Sequence, residues 1–183
     1  MDNGNDQLIL VDVFDLPVGQ AGKMEAHQKG LLHRAFSVFL FDAEGRRLLM
    51  QKRAAGKYHS AGLWANTCCS HPRWGEAVDE AALRRLREET GLVCSLEEIF
   101  SFVYREVYAD GLSEYEYDHV FVGFFDGEIS QATVDPEEIA ELQWMDLNAV
   151  AKGLQENPGA YGDWFITAAP GVFQWLQKNE GRL

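Results

Sequence analysis

At 183 residues the chain is long enough to bury one substantial core and short for two ordinary domains, so one domain is expected. A formal net charge of −13 argues against non-specific nucleic-acid binding, because a phosphate backbone is repelled unless a local basic patch overrides the field. Met1 to Gly22 is acidic without a long apolar run, which argues against a signal peptide or membrane span, and three cysteines, two of them adjacent, give no disulfide framework; a cytoplasmic protein is expected.

There is no internal repeat and no low-complexity linker. Gln7 to Val13 alternates apolar and polar residues as a strand does, and Phe14-Asp15-Leu16-Pro17-Val18-Gly19 follows as a turn. Ala35 to Phe41 and Arg47 to Gln51 are β-rich runs flanking Asp42-Ala43-Glu44-Gly45, a hairpin. Ala77 to Thr90 sets Val78, Ala81, Ala82 and Leu86 at helical spacing, with Asp79 and Glu80 in its first turn and Gly91 behind its last. Ile99 to Tyr108 and Glu114 to Phe125 form a second strand pair across Ala109-Asp110-Gly111, and Glu141 to Met145 another strand. Leu147 to Leu154 and Phe165 to Gln177 are rich in helix formers. The elements predict an α+β fold, a twisted mixed sheet sandwiched by helices.

Chemistry concentrates in two adjacent stretches. Asn66-Thr67-Cys68-Cys69-Ser70-His71-Pro72 puts a thiol near an imidazole able to bind metal, and Glu76 to Gly91 follows with paired carboxylates and arginines. On the helix Arg84 can reach Glu88 and Arg85 can reach Glu89, one turn on in each case, pairs that are equally ordinary on a solvated surface. Glu114 and Glu116, two apart in a strand, point to one face and repel unless a cation or proton sits between them. With His27, His33 and His71 they make a mixed nitrogen and oxygen set suited to Zn2+ or Mn2+ and, with harder ligands, Mg2+, although each imidazole alone is as often a surface or core residue. His119 has the opposite parity to Glu116 and His59 sits in an unpatterned loop, so both are read as structural.

Glu76, seven residues, then Arg84, Leu86, Glu88, Glu89, Gly91 and Leu92 resembles the Nudix box, with Ser70 replacing its leading glycine and Arg85 replacing the glutamate after its arginine. In pyrophosphate-hydrolysing members the helix carboxylates gather divalent cations to activate a water, so a cation at Arg85 argues against hydrolysis. Lys23 to Ser37, Gln51-Lys52-Arg53, Gly62 to Pro72, Glu114-Tyr115-Glu116 and Trp164 together resemble the type I isopentenyl-diphosphate isomerases, Nudix-fold enzymes, over about Gln7 to Trp175. The resemblance implies a Nudix-type α/β/α sandwich forming one domain over 1–183, its core at about 31–168, with an N-terminal strand and loop and a C-terminal helix added.

It also implies roles. His27, His33, His71, Glu114 and Glu116 would bind a divalent ion; Glu89 would hold a Mg2+ bridging the diphosphate; Lys23, Arg53, Lys57 and Arg85 would grip the diphosphate. The implied reaction is a 1,3-allylic proton shift in which Cys69 and Glu116 exchange protons on opposite faces of the substrate and Tyr104 hydrogen-bonds in the relay. Trp164 would stabilise the tertiary carbocation through its π face, worth on the order of 2 kcal/mol when desolvated. Cys68 is read as a packed small residue. The expected partner is a small diphosphate, not nucleic acid or membrane, and a monomer is expected with a dimer as the alternative. A Nudix pyrophosphohydrolase acting on a nucleoside diphosphate derivative, and a metal-stabilised module that binds diphosphates without turnover, stay open beside this reading.

Overall fold

The computed structural model describes residues 7–57 and 59–179, so the two ends of the expected 1–183 unit lie outside the described residues. Strands β1 (Gln7–Val11) and β2 (Pro17–Gly22) form an antiparallel hairpin. The turn expected through Gly19 is therefore shorter. Asp12 Oδ1 accepts from the backbone N–H groups of Phe14 and Leu16, which closes the reversal early and lets Pro17 open a strand. Helix α1 (Lys23–Lys29) follows at once; its seven residues make barely two turns and bury only Ala26 and His27, so spacing alone does not mark it. Gly30, at φ 61°, ends it in the left-handed conformation that glycine adopts without strain.

The two long hairpins lie where the residues predict them. β3 (His33–Asp42) pairs antiparallel with β4 (Arg47–Arg53), and the Asp42 carboxylate caps the turn by accepting from the backbone N–H groups of Arg46 and Arg47. After the short strands β5 (Trp64–Ala65) and β6 (Cys68–Ser70), helix α2 (Val78–Thr90) runs to Gly91 at φ 72°. Then β7 (Glu97–Val107) and β8 (Ser113–Phe125) pair antiparallel, and β9 (Ile139–Asp146) leads into α3 (Leu147–Glu156), whose first turn is capped by Asp146. Helix α4 (Asp163–Asn179) closes the described chain. Among the described residues no helix is long and apolar enough to cross a membrane.

The sheet runs β2-β1-β3-β4-β5, with β6 and β8 also on β3, β7 on β8, and β9 on β4. The two hairpins are joined by the parallel pairing of β3 with β8, a long-range contact that periodicity cannot supply. Strand parity then divides the core. Phe36, Val38 and Leu40 pack with Ala81, Ala82 and Leu86 of α2, whereas Phe39, Phe41, Val120 and Val122 pack with Phe165, Ala168, Ala169 and Val172 of α4. Cys68 belongs to the α2 side and Cys69 to the α4 side, the alternation of a single strand. On the α4 side each central strand changes character along its length: β8 reads Glu114, Glu116, Asp118 before Val120 and Val122, and β3 reads His33 and Ser37 before Phe39 and Phe41. The fold thus assembles a buried polar cluster at one end of an apolar face.

Candidate active site

Register brings the polar side chains together. His33 lies opposite Glu116 in the parallel β3–β8 pair, Tyr104 lies opposite Glu116 in the β7–β8 pair, and Ser37 lies opposite Cys69 in the β3–β6 pair. Helix α1 adds His27 from above this face, and the loop after β6 adds His71. His27, His33, His71 and Glu116 each offer a ligand atom, all within 4.8 Å of one another. His27 Nε2 is 3.3 Å from His33 Nε2, and Glu116 Oε1 is 2.8 Å from His71 Nε2. His33 Nδ1 is 2.8 Å from the Leu31 carbonyl oxygen; as the donor in that bond it leaves the Nε2 lone pair facing the other imidazoles.

The electrostatics fit a cation. Burial, and then the neighbouring His71 and His33, push His27 down to about 2, and burial pushes His71 down as well, so both are neutral donors at neutral pH. Burial raises Glu116, but the adjacent His33 and His71 imidazoles outweigh it and hold the carboxyl well below its usual range. Three imidazoles converging on a carboxylate form the nitrogen and oxygen set that suits Zn2+ or Mn2+, so the residues fit a divalent ion.

The fifth expected ligand is differently engaged. Glu114 Oε1 lies 2.7 Å from His59 Nε2, and Oε2 accepts from the hydroxyls of Tyr104 at 2.9 Å and Tyr108 at 3.2 Å. Tyr104 also donates to Glu116 Oε2 at 2.7 Å and so ties the two carboxylates. His59, read from the sequence as structural, is buried here, its ring stacked on Tyr108 and edge-on to Trp164. No local signal marks His59. Tyr108 shares the parity of Tyr104, and Asp118 that of Glu114 and Glu116, so both were legible from spacing of two. Asp118 is 1% exposed and accepts from Ser37 Oγ at 2.8 Å; burial, then the nearby Glu116 charge, raises its carboxyl well above the usual range.

A cavity opens on this cluster. Its wall includes Cys69, Glu116, Tyr104 and Trp164, the four expected catalytic residues, together with Lys23, Arg53, Lys57 and Arg85, the four expected anion contacts. Burial, and then the Asp118 carboxylate, push the Cys69 thiol up, so it stays protonated. The Arg53 guanidinium carbon is 5.0 Å from the centre of the Trp164 ring, a cation–π contact, and Arg53 Nε has no hydrogen-bond partner among the described residues. Arg85, 4% exposed, donates to Glu89 Oε1 at 2.5 Å and reaches Glu138 Oε1 at 3.3 Å, and Lys57 pairs with the other Glu138 oxygen. Glu89 lies outside the histidine cluster, buried against Arg85, and burial raises its carboxyl. Glu138, in the segment before β9, was missed because nothing in a turn rich in Pro and Glu singles out one carboxylate. Arg84 is clamped by Glu76 at 2.6 and 2.8 Å and reaches Glu88 at 3.1 Å, so it ties the middle of α2 to the loop before the helix.

The NUDIX domain family matches residues 31–165. Isopentenyl-diphosphate Delta-isomerase 2 of Aromatoleum aromaticum is 53% identical over 95% of this chain and 90% of its own length. Isopentenyl-diphosphate Delta-isomerase of Serratia proteamaculans is 48% identical over 96% and 94%. Among solved structures, DR0079 from Deinococcus radiodurans superposes with a TM-score of 0.71 at 19% identity, covering 90% of this chain and 98% of that one, a likeness of fold. With the NUDIX match over most of its length and relatives of about half-identical sequence along almost all of it, the chain belongs to the NUDIX superfamily and, within it, to the isopentenyl-diphosphate Delta-isomerase family.

Proposed function

We propose that this protein interconverts isopentenyl diphosphate and dimethylallyl diphosphate by a 1,3-allylic proton shift through a tertiary carbocation. The observation that carries the reading is that a single cavity wall contains a thiol, a carboxylate, a tyrosine hydroxyl and an indole together with four cationic side chains. A proton is added to the terminal alkene carbon and another is lost from the neighbouring methylene, so the substrate's composition and its diphosphate stay intact. An unactivated alkene is a very weak base, and the step needs an acid and a base held on opposite faces away from bulk water. Cys69 and Glu116 take those parts as a pair, with Tyr104 bridging to Glu116, and the Trp164 ring faces the developing positive charge.

Lys23, Arg53, Lys57 and Arg85 grip the diphosphate; the unpartnered Arg53 Nε supports this, since a buried guanidinium short of acceptors favours an anion. His27, His33, His71 and Glu116, with Glu114 as a fifth donor, would hold Mn2+, Zn2+ or Mg2+, whose charge when bound fixes the ionisation of Glu116. Glu89 would hold a Mg2+ shared with the diphosphate, neutralising phosphate charge. Arg85, which departs from the hydrolytic pattern, favours binding over cleavage because it puts a cation where a metal-gathering carboxylate would stand. The chain works as one unit over 1–183 and as a cytoplasmic monomer, its acidity disfavouring nucleic acid and anionic membranes. The test is product analysis with isopentenyl diphosphate, Mg2+ and Mn2+: dimethylallyl diphosphate without free phosphate is expected. Phosphate or pyrophosphate without isomer indicates a pyrophosphohydrolase, and binding without either product a diphosphate-recognition module.

A further inference from the structure

Asn66 is fully buried and makes four hydrogen bonds. Its Nδ2 donates to the backbone carbonyls of Val38 and Cys68, each at 3.0 Å. Carbonyls only accept, so these two bonds fix which end of the carboxamide is nitrogen and turn Oδ1 toward the cavity-side groups. Oδ1 in turn accepts from the Cys69 thiol at 3.1 Å and from the Trp164 indole N–H at 3.0 Å. The same indole N–H lies 3.0 Å from the Cys69 sulfur, so carboxamide, thiol and indole close a triangle. Asn66 is not part of the cavity wall, whereas Cys69 and Trp164 both are.

We propose that Asn66 is a positioning residue that fixes the Cys69 sulfur and the plane of the Trp164 indole relative to each other, acting through those two groups and never on the substrate. The inference rests on the isomerase reading. Every hydrogen-bonding capacity of the carboxamide is spent on these partners, which leaves none for a ligand. Neighbouring backbone anchors its nitrogen, so the oxygen is a fixed point against which β6 and the first turn of α4, far apart in sequence, are brought into one register. Aspartate lacks both donors, glutamine carries its carboxamide one methylene further, and alanine removes all four of these hydrogen bonds.

The test is steady-state kinetics on Asn66→Ala, Trp164→Phe and the double variant, with the wild type alongside. Loss of the anchor misplaces the reacting thiol, so kcat is expected to fall about 100-fold with KM for isopentenyl diphosphate held. Because Trp164→Phe already deletes the indole donor, Asn66→Ala is expected to cost roughly tenfold less in that background, a coupling that a residue serving general stability does not produce. An active wild type together with an Asn66→Ala variant of unchanged kcat, or with fully additive losses, overturns the proposal; an inactive wild type overturns the isomerase reading instead. If Asn66→Ala does not fold, 15N-labelled Trp164→Phe carries the test. The Asn66 Nδ2 proton signals are expected to shift when their carbonyl oxygen loses the indole, and unmoved signals overturn the proposal.

Discussion

Replacing Arg85 by methionine removes the positive member of a buried pair, and the structure sets the scale of the effect. Arg85 is 4% exposed and Glu89 2%, with 2.5 Å between donor and acceptor. Deleting one partner of such a pair leaves a charge without compensation and costs about 3–5 kcal/mol. For a chain of this size each kcal/mol moves the midpoint by roughly 2–4 °C, so Arg85→Met should melt about 6–20 °C below the wild type at neutral pH. The pH dependence follows from Glu89. Burial already raises its carboxyl in the folded protein, and loss of Arg85 raises it further, so the folded state binds the proton more tightly than the unfolded chain does. The penalty is therefore complete well above the ordinary glutamate pKa and shrinks as pH falls toward it. Arg85→Met/Glu89→Gln, with no buried charge left in the pair, should regain most of the lost midpoint. Thermal unfolding of the four proteins at pH 7.5 and 5 measures this, with each variant compared with the wild type at the same pH. A double variant no more stable than Arg85→Met, or a penalty that grows on acidification, refutes the reasoning.

Cys69→Ala and Glu116→Gln should each lower turnover by a factor on the order of 10² to 10⁴ without loss of fold, whereas Cys68→Ala, packed on the α2 side, should leave kcat within a few fold; equal damage at both cysteines would reassign the thiol. In metal-free protein His27 is neutral when folded, its pKa about 2 against 6.5 for a free imidazole, so the unfolded chain binds the extra proton between those values and stability falls as pH drops below 6.5. Its share of the loss between pH 7 and 5.5 is about 1 kcal/mol, so the unfolding free energy from urea titrations in chelator should fall over that interval by about that much more for wild type than for His27→Gln; equal falls contradict a buried neutral imidazole. His71→Ala should reduce tightly bound Mn2+ or Zn2+, counted by elemental analysis after desalting, from one per chain toward none, and an undiminished count removes His71 from the ligand set.

What was legible in the sequence is local and periodic. The β-branched and aromatic runs of Ala35 to Phe41 and Glu114 to Phe125 predict the long strands, and the 3.6-residue spacing of Val78, Ala81, Ala82 and Leu86 predicts α2 because that period reports a face that must be buried. The parity of Glu114 and Glu116 put both on the site face, although Glu114 hydrogen-bonds to His59, Tyr104 and Tyr108 while Glu116 joins the histidines. Which of two side chains on one face reaches the centre depends on the strands on either side, and the parallel β3–β8 register that puts His33 opposite Glu116 is a contact across some eighty residues of chain. Short or irregular segments carry no period at all, so α1, β5, β6 and the loops holding His59 and Glu138 could not be read from spacing. His27, on α1, was nominated by residue type and resemblance, and its convergence with His33 and His71 is a product of the fold.

The most direct measurement is a single turnover of isopentenyl diphosphate by the Mg2+- and Mn2+-supplied protein in D2O, with deuterium located in the product by NMR and phosphate assayed in the same sample. A proton delivered to the terminal carbon by side chains in exchange with solvent predicts deuterium in a methyl group of dimethylallyl diphosphate and no phosphate release. Isomer formed without deuterium, or phosphate released without isomer, contradicts a thiol and a carboxylate that trade protons with the substrate across this cavity.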